Sequence, residues 1–340
     1  MRKIRIEDAV GMVLGHDVTQ IIPGKYKGPR FKRGHKIKKE DIPEFLKIGK
    51  EHIYVMVQKP GMIHEDEAAL RLGRVFAGRN IEISGPSEGK VTLHSTIKGV
   101  LKINVPLLHR INLSRNVILS TIHRYTPCSP RMAVGATRII SLMAPEKQIE
   151  KVENWCRKEG PVIEILPYQK MNIGVLVTGN EFIKGRTQDR FDDKVGKKIN
   201  QFGSRVVRKF VVPDEMDQIS KALFDLQEDS VDLILVTGGL SVDPDDVTRA
   251  GIRKAGTKII FYGTPILPGA MFLYGMLQEK PVLGLPACVF HHHATLFDLI
   301  FPRILAGEVL NRREMSFLGH GGYCQNCDPC HFPVCPFGKG

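Results

Sequence analysis

Long apolar runs are missing from this sequence. No stretch of about 18 uncharged apolar residues is present, and the first residues, MRKIRIEDAVG, lack the apolar core that a secretion machinery reads. No internal repeat at a solenoid period is visible either. These absences argue against a membrane-spanning, secreted or repeat protein, so we expect a cytoplasmic chain with no membrane partner.

Acidic residues are fewer than basic ones. The 36 acidic and 49 basic residues leave a formal charge of +13, which attracts anions without saying which ones. Much of the excess lies in KYKGPRFKRGHKIKK, Lys25 to Lys39, but few aromatic residues and no helix-turn-helix or RNA-binding signature accompany it. We interpret the run as a solvated basic face, and nucleic-acid binding ranks third among the candidate functions.

Cysteines are scarce except near the end of the chain. Cys128, Cys156 and Cys288 are scattered, which is typical of inert small hydrophobic residues in a reducing compartment. The other four form a C-x2-C-x2-C-x4-C run followed by proline: Cys324, Cys327, Cys330 and Cys335. Three thiolates at two-residue gaps are typical of an iron–sulfur cluster, whereas zinc ribbons pair two knuckles across a longer loop. We predict metal binding, with an iron–sulfur cluster favoured over zinc and an unliganded tail as the third alternative; His320 and His331 are spare ligands that keep zinc open.

The patterning predicts three parts: an α+β, strand-rich region at 1–168, an α/β domain at 169–308 and a cysteine-rich tail at 309–340. In the first part, IEISG, KVTLHS, VLKINVP and NVILSTI have strand character, and APEKQIEKVENWCRKEG is an amphipathic helix with Ile149, Val152 and Trp155 on one stripe. No catalytic spacing is recognisable in this part.

The middle part alternates short β-branched runs with helical segments. Strands that are apolar on both faces indicate a doubly wound, mostly parallel sheet in three layers, in which ligands bind outside the carboxyl ends of the strands. The runs are NIGVLVTG, VRKFVVPD, VDLILVTGG, TKIIFYG and PVLGLP. The loops that follow them are rich in glycine, proline and acid: TGNE, VPDE, TGGLSVDPDD, GTPILPGAM and GLPAC. This edge is the predicted site.

The turn VTGGLS suits an anionic ligand. Without side chains at Gly238 and Gly239, backbone N–H groups can approach an oxyanion or phosphate, and Thr237 and Ser241 add hydroxyl groups. The turn lacks the Gly-Lys-Ser/Thr ending of the Walker loop, which argues against a nucleoside triphosphatase.

Acids surround this turn. We interpret Asp243 and Asp245 as turn and helix-cap residues. Asp246 is different, because Glu181 and Asp214 are expected to face the same cleft. Three converging carboxylates repel one another unless a divalent cation lies between them, and magnesium prefers such ligands together with a substrate phosphate.

The ordered set of loops resembles a known family. TGNE, VPDE, TGGLSVDPDDVT, a Leu-Pro-Gly turn and a Gly-Leu-Pro turn, in this order, resemble the molybdopterin-binding domain shared by molybdopterin molybdotransferases and molybdopterin adenylyltransferases, over Asn172 to Glu308. The resemblance implies that Glu181, Asp214 and Asp246 bind Mg²⁺ and take part in opening the adenylated pterin and inserting molybdate. It also implies a set of cofactor-binding residues: Thr178, Gly179, Thr237, Gly238, Gly239, Ser241, Pro268, Gly269 and Pro286.

The sequence also departs from the transferase pattern. The turn KPGKP reads ILPGAM here, so Pro268 and Gly269 remain and both lysines are gone, and GLPGNP reads GLPACV. The start of the chain, in AVGMVLGHDVTQIIPGKYKGPRFKRGH, resembles a family of bacterial molybdopterin-binding proteins but lacks the NSAMDGYA signature. The triplet His291 to His293 at the start of an expected helix is interpreted as capping or packing residues, because three consecutive residues cannot share one helical face.

Two functions therefore compete. The first is a magnesium-assisted molybdotransferase acting on molybdopterin or its adenylate. The second is a non-catalytic protein that holds or delivers the cofactor and uses a metal-binding tail for redox sensing or docking. The implied partners are molybdopterin, molybdate-type anions and a molybdoenzyme, and related domains commonly form homodimers.

Overall fold

The computed structural model describes residues 1–56, 60–184, 186, 189–241, 243 and 246–339. The chain divides into two compact units. The first comprises Met1–Ile97, Lys102–Ile122 and Ser129–Ile165, and the second comprises Lys98–Leu101, His123–Cys128 and the chain from Leu166 onward. The cysteine-rich segment thus lies in the same unit as the α/β region, and two short earlier segments join that unit.

Strands dominate the chain up to residue 167. The strands are β1 (Arg2–Arg5), β2 (Val18–Ile22), β3 (Tyr26–Phe31), β4 (His52–Val55), β5 (Met62–His64), β6 (Ile81–Ser87), β7 (Lys90–Ser95), β8 (Gly99–Ile103), β9 (Val117–Thr121), β10 (Pro127–Cys128), β11 (Ala133–Ile139), β12 (Met143–Pro145) and β13 (Ile163–Pro167). The helices are α1 (Ile42–Lys47), α2 (Glu65–Phe76), α3 (Val105–Asn112) and α4 (Glu146–Glu159). In the first unit, β6, β7, β11 and β9 form an antiparallel sheet, and β1 pairs with β4, β2 with β3 and β12 with β5. The α+β prediction for this region is confirmed.

Helix α4 is the amphipathic helix that the sequence predicted. Its buried positions are Ile149, Val152, Glu153 and Cys156, whereas Trp155 is only half-buried. The indole instead lies against cations, with the Arg110 guanidinium 4.8 Å and the Lys151 ammonium 5.3 Å from the ring centroid. Trp155 thus lies at the half-exposed margin of the predicted stripe, with its ring beside two cations.

His64 in the first unit is buried and has a hydrogen-bond partner at each ring nitrogen. Its Nε2 lies 3.0 Å from the Gly15 carbonyl oxygen, and its Nδ1 accepts a hydrogen bond from the Asp66 N–H at 3.2 Å, so it caps helix α2. A second proton would occupy the lone pair that makes this cap. Burial lowers the pKa of His64, and the positive charge of Arg33 acts in the same direction.

We expect the first unit to lose stability as the pH falls below about 6.5. Burial lowers the pKa of His16 as well as that of His64, so the folded state binds fewer protons than the unfolded state and stability rises with pH in this window. The measurement is the urea midpoint, followed by the fluorescence of Trp155, the single tryptophan. Burial raises the pKa of Glu65, which has the opposite effect in more acidic solution, so the comparison stays above about pH 5.5.

The control for this pH dependence is His64→Gln, which keeps one donor and one acceptor but cannot take up a proton. The variant should show a shallower loss of stability on acidification than the wild type. A wild-type midpoint that is unchanged or rises between neutral and mildly acidic pH would contradict the prediction.

The second unit is built on one large sheet. Its strands are β14 (Asn172–Thr178), β15 (Arg205–Val212), β16 (Leu233–Thr237), β17 (Lys258–Tyr262), β18 (Leu273–Leu277) and β19 (Lys280–Leu285). Its helices are α5 (Asn180–Ile183), α6 (Lys197–Gln201), α7 (Met216–Glu228), α8 (Thr248–Lys254), α9 (Leu296–Leu305) and α10 (Arg312–Phe317). Within the described ranges the strand order is β15-β14-β16-β19-β18-β17, and β18 runs antiparallel to both of its neighbours.

Both faces of this sheet are buried. On β14, Val175 and Val177 face one apolar cluster, which includes the buried residues of α9, while Leu176 faces another cluster with the buried side of α7. β16 alternates in the same way. Fully burying one such side chain stabilises the fold by about 1.5–3 kcal/mol, so continuous apolar strands are favoured only when helices cover both faces. The predicted doubly wound, three-layer α/β fold is confirmed.

Strand β18 was not anticipated from the sequence. A tight turn at Gln278, which has a φ of 52°, returns the chain directly into β19. No helical segment separates β18 from β19, and such a segment is the sequence signal for a separate parallel strand. The apolar pattern of β18 is therefore hard to distinguish from that of β19 in the sequence. No helix within the described ranges is long and apolar enough to cross a bilayer.

Candidate functional site

The carboxyl ends of four strands meet at one edge of the sheet. Thr178 at the end of β14 lies opposite Val212 on β15, and Thr237 at the end of β16 lies opposite Val177 and Leu285. The loops after these strands therefore leave from one edge, as the sequence predicted. This is the edge at which open α/β sheets bind ligands.

The first loop is joined to the second through a carboxylate. Asp214 accepts a hydrogen bond from the Asn180 N–H at 2.9 Å, at the start of the short helix α5. The side chain of Glu181 folds over Gly179, so a Cβ at Gly179 would lie 2.7 Å from Glu181 Oε1. The absence of a side chain at Gly179 therefore lets Glu181 fold back over the loop. Asp214 and Glu181 both lie next to this glycine loop.

The second glycine turn is more tightly constrained. Gly238 has a φ of 96°, and a Cβ there would lie 1.9 Å from the Thr178 carbonyl oxygen. Gly239 has a φ of 54°, and a Cβ there would lie 2.4 Å from Thr248 Oγ1 and 3.5 Å from Asp214 Oδ1. Thr178 and Thr248 are fully buried, and their hydroxyl oxygens lie 3.0 Å apart. The turn thus brings bare backbone between two hydroxyl groups and an acid.

The acids after this turn differ in part from their predicted roles. Helix α8 has Val247 at its N-cap without a side-chain cap, so assigning Asp243 as a helix cap was wrong. Asp243 is instead a turn residue, because its carbonyl accepts the Asp246 N–H at 3.0 Å and its own N–H donates to Asp246 Oδ2 at 3.3 Å. Asp245 lies outside the described residues. Ser241 is exposed, whereas Thr237 is buried.

The Leu-Pro-Gly turn is packed against helix α9. The Leu296 N–H donates to the Pro268 carbonyl oxygen at 3.2 Å, and a Cβ at Gly269 would lie 2.7 Å from the Leu296 Cβ. Thr295 caps this helix in a capping box with Asp298. Pro286 begins the one-turn helix Ala287–Phe290 on the adjoining loop. The helix expected from the histidine triplet onward therefore begins later, and His291 to His293 precede it.

Sequence reasoning missed cationic groups next to the glycine turn. The Tyr262 hydroxyl donates to the Leu240 carbonyl oxygen at 2.7 Å, and the Arg249 guanidinium lies 4.6 Å from the centroid of the Tyr262 ring. Arg312 on α10 lies 3.4 Å from the Tyr262 carbonyl oxygen. Nothing in the sequence indicated that Tyr262 on β17 would lie beside Arg249 and Arg312. Only the fold brings these three residues together.

The cysteine-rich segment is fixed to the site loop. Tyr323 forms a parallel bridge with Leu267, whose carbonyl oxygen accepts the Cys324 N–H at 2.8 Å and whose N–H donates to Gly322 at 2.8 Å. Near the end of the chain, Phe337 is 3% exposed and belongs to the same apolar cluster as α9. An unstructured tail is thus inconsistent with this packing.

The charged and metal-binding side chains that the structure describes do not form a complete metal site. Among the residues that the structure describes, no three His, Cys, Asp or Glu side chains lie close enough together to hold a metal ion. The predicted acids Glu181, Asp214 and Asp246 therefore do not form such a group in the described structure, and neither do the four tail cysteines. Glu181 lies beside Gly179 and Asp214 beside Gly239, whereas the printed contacts of Asp246 are with Asp243 in the turn that follows.

Comparison with protein families agrees with this geometry. The family described as "Probable molybdopterin binding domain" matches residues 174–306. The matched residues lie within the second unit. The resemblance inferred from the ordered motifs is confirmed for this stretch. Residues 3–57 match a separate family described only as a domain of unknown function.

Curated proteins of more than one kind resemble the chain. The chain is 28% identical over 150 residues to a molybdopterin molybdenumtransferase of Haemophilus influenzae, covering 42% of this chain and 37% of that one. It is 39% identical over 90 residues to a CinA-like protein of Citrifermentans bemidjiense, covering 26% of this chain and 22% of that one. The chain thus spans well under half the length of these relatives.

Solved structures resemble the chain at low identity. A molybdopterin biosynthesis MoeA protein from Pyrococcus horikosii is 15% identical, with a TM-score of 0.34, over 90% of this chain and 74% of that one. The CinA protein from Thermoplasma acidophilum is 24% identical, with a TM-score of 0.35, over 40% of this chain and 98% of that one.

Proposed function

We propose that the second unit binds molybdopterin or its adenylate and, with Mg²⁺, inserts molybdate. The observation that supports this most is the turn at Gly238 and Gly239, where side chains are excluded beside Thr178, Thr248 and Asp214. Bare N–H groups in such a turn suit the phosphate of a pterin, and the adjoining acids suit a metal that bridges to it. The matched family and the matched transferase both carry molybdopterin in their names.

The acids fit magnesium without a complete protein cage. Mg²⁺ is usually held through one or two carboxylates together with substrate phosphates and water, so a prebuilt group of three acids is not required. Asp214 already links two of the loops through Asn180 and lies beside Gly239. Glu181, Asp214 and Asp246 would hold the ion, which would neutralise charge on the phosphate or on the incoming oxyanion. The chain's own contribution is to fix these carboxylates next to the pterin turn.

Arg249 is proposed to replace part of the charge lost with the two lysines of the transferase turn. Charge-assisted contacts to an oxyanion contribute about 1.5–3 kcal/mol, so Arg249→Ala should weaken molybdopterin binding by about 10- to 150-fold. Arg253→Ala is the matched control, because this residue is an exposed arginine on the same helix. Titration of the purified protein with the pterin measures both variants, and equal affinities would contradict the role of Arg249.

The transferase activity has a direct test. Purified protein is incubated with adenylated molybdopterin, magnesium and molybdate, and release of AMP is measured. We expect turnover in the wild type and a loss of at least about 100-fold in Asp246→Ala, because a charge-stabilising group is removed. Asp243→Ala serves as the control, since its backbone rather than its side chain makes the turn. Tight pterin binding without AMP release would contradict the transferase.

A non-catalytic cofactor-binding or delivery protein is the second candidate. It is favoured by the pairing of Tyr323 with Leu267, because the tail backbone occupies the flank of the turn that carries lysines in the transferases. In this function the cysteine tail binds metal, senses redox state or docks to a molybdoenzyme. Pterin affinity that survives Asp246→Ala, together with an absence of AMP release from every variant, would support this candidate.

A further inference from the structure

We propose that the first unit carries a binding site for a diphosphate group, formed by Lys27, Lys90 and Arg138 around the turn between β6 and β7. The site goes beyond the proposed pterin function and does not depend on it. In the sequence, Lys27 belongs to the run interpreted as a solvated basic face, whereas Lys90 and Arg138 are far from that run. Only the fold brings the three cations to one pocket.

The pocket has a volume of about 400 Å³. Each cation comes from a different strand of the first unit: Lys27 from β3, Lys90 from β7 and Arg138 from β11. Ser87 and Thr92 also line the pocket, and their hydroxyl groups can donate hydrogen bonds. The volume is many times the ~30 Å³ share of one water molecule, so the pocket has room for a group larger than a single ion.

The cations of the pocket are poorly neutralised by the protein itself. Neither Lys27 nor Lys90 forms an ion pair with a residue that the structure describes. Arg138 is partly compensated, because its Nη2 lies 3.5 Å from Glu65 Oε2, and its Nε donates to the Ile139 carbonyl oxygen at 3.3 Å. Like charges around one pocket repel one another, and an anion with several oxygens relieves this repulsion by accepting from all three side chains.

The turn beneath the pocket has a defined backbone. Glu88 and Gly89 have φ values of 50° and 70°, which is the two-residue hairpin turn with both central residues in the left-handed region. The strand register shifts just before this turn, at Gly85, where a Cβ would lie 2.7 Å from the Lys90 carbonyl oxygen. Bulges of this kind re-aim neighbouring side chains and are common next to active sites.

Two contacts tie this turn to the other strands of the site. Glu88 accepts a hydrogen bond from the Thr19 hydroxyl on β2, which joins the turn to the hairpin of β2 and β3. A Cβ at Gly89 would overlap the carboxyl group of Glu65, which is 5% exposed and is the acid beside Arg138. The three strands that supply the cations are therefore all linked to one turn.

The first test is a titration of the full chain with inorganic pyrophosphate, followed by calorimetry at low salt, where exposed charges are least screened. Lys27→Ala should weaken binding about 10-fold, because a charge-assisted contact is lost. Lys25→Ala is the matched control, since Lys25 is an exposed lysine in the same basic run and does not line the pocket. Unchanged affinity in Lys27→Ala, or equal weakening in both variants, would overturn the proposal.

The acid in the pocket gives a test with the opposite sign. Glu88 lines the pocket, and its negative charge opposes a bound anion. Glu88→Gln removes the charge and keeps an oxygen that can accept from Thr19, so pyrophosphate should bind about two- to fivefold more tightly. A merely structural role of the turn would not produce tighter binding. Weaker binding in folded Glu88→Gln, checked by circular dichroism, would contradict the site.

A chemical footprint distinguishes this pocket from the pterin turn of the second unit. Lysines of the wild type are acetylated with and without pyrophosphate, and the modified positions are identified by mass spectrometry. Pyrophosphate should protect Lys27 and Lys90, while Lys25 stays reactive. Binding in the calorimeter without protection of Lys27 and Lys90 would mean that the anion binds elsewhere, which would overturn the proposal. Molybdopterin is titrated separately, so failure of one site is distinguishable from failure of the other.

Two further ligands identify the source of the diphosphate. Protection of Lys27 and Lys90 by ADP as well as by pyrophosphate would assign the site to the diphosphate of a nucleotide-like molecule, and protection by pyrophosphate alone would assign it to the free anion. A duplex oligonucleotide is the second ligand. If it protects Lys25 as strongly as Lys27 while pyrophosphate protects neither, the basic run binds nucleic acid and the diphosphate site is wrong.

Discussion

Replacing Gly238 by alanine should abolish the proposed pterin binding and destabilise the second unit. The new Cβ would lie 1.9 Å from the Thr178 carbonyl oxygen and 2.7 Å from its hydroxyl, so the turn or the end of β14 must move. The positive φ of 96° adds a cost of about 1–2 kcal/mol for any residue with a Cβ. Together with about 1–3 kcal/mol for overpacking, we expect a loss of roughly 3 kcal/mol in the free energy of unfolding. Pterin affinity should fall by more than about 100-fold, because the backbone donors are displaced.

Gly256→Ala separates backbone strain from steric overlap. Gly256 has a similar φ of 88°, but a Cβ there would have nothing within 4 Å. Its alanine variant should therefore lose only about 1–2 kcal/mol and keep normal pterin affinity. Urea unfolding and pterin titration are measured on both variants. If Gly238→Ala behaves like Gly256→Ala in both assays, the close approach of the turn to β14 is not required for binding.

The sheet could be predicted because its signals are local. Val175, Leu176 and Val177 are all apolar, and only a strand covered on both faces makes that favourable. The same reasoning gives the ligand edge, since parallel strands end together. Strand β18 escaped prediction because a single residue with positive φ, Gln278, makes the turn, and no glycine marks it.

The chemistry of the edge could be predicted only in part. Glu181, Asp214 and the glycine turn stand out because their residue types are unusual directly after buried strands. Arg249 did not, since a helical arginine is ordinary until the fold places it over Tyr262. Contacts between segments far apart in the sequence, such as His292 with Asn326, leave no local pattern at all.

Replacing Phe297 should strongly destabilise the core of the second unit. Its side chain is 1% exposed, and its ring stacks on Phe301 with centroids 4.8 Å apart. Phe297→Ala should cost about 3–5 kcal/mol in the free energy of unfolding, because apolar burial is lost and a cavity remains. Phe317→Ala, on the neighbouring helix α10, removes a ring that is 53% exposed and should change stability by less than about 0.5 kcal/mol.

Helix α9 also connects this core to the site, which gives the substitution a functional readout. Leu296, the residue before Phe297, donates its N–H to Pro268 and leaves no room for a side chain at Gly269. Loosening the helix should therefore expose the Leu296 amide, which donates to the turn, to hydrogen exchange before the sheet unfolds. Exchange is followed by mass spectrometry on both phenylalanine variants. Normal protection of the Leu296 amide in Phe297→Ala, at conditions where the rest of the helix exchanges faster, would show that its contact with the turn does not depend on the packing of Phe297.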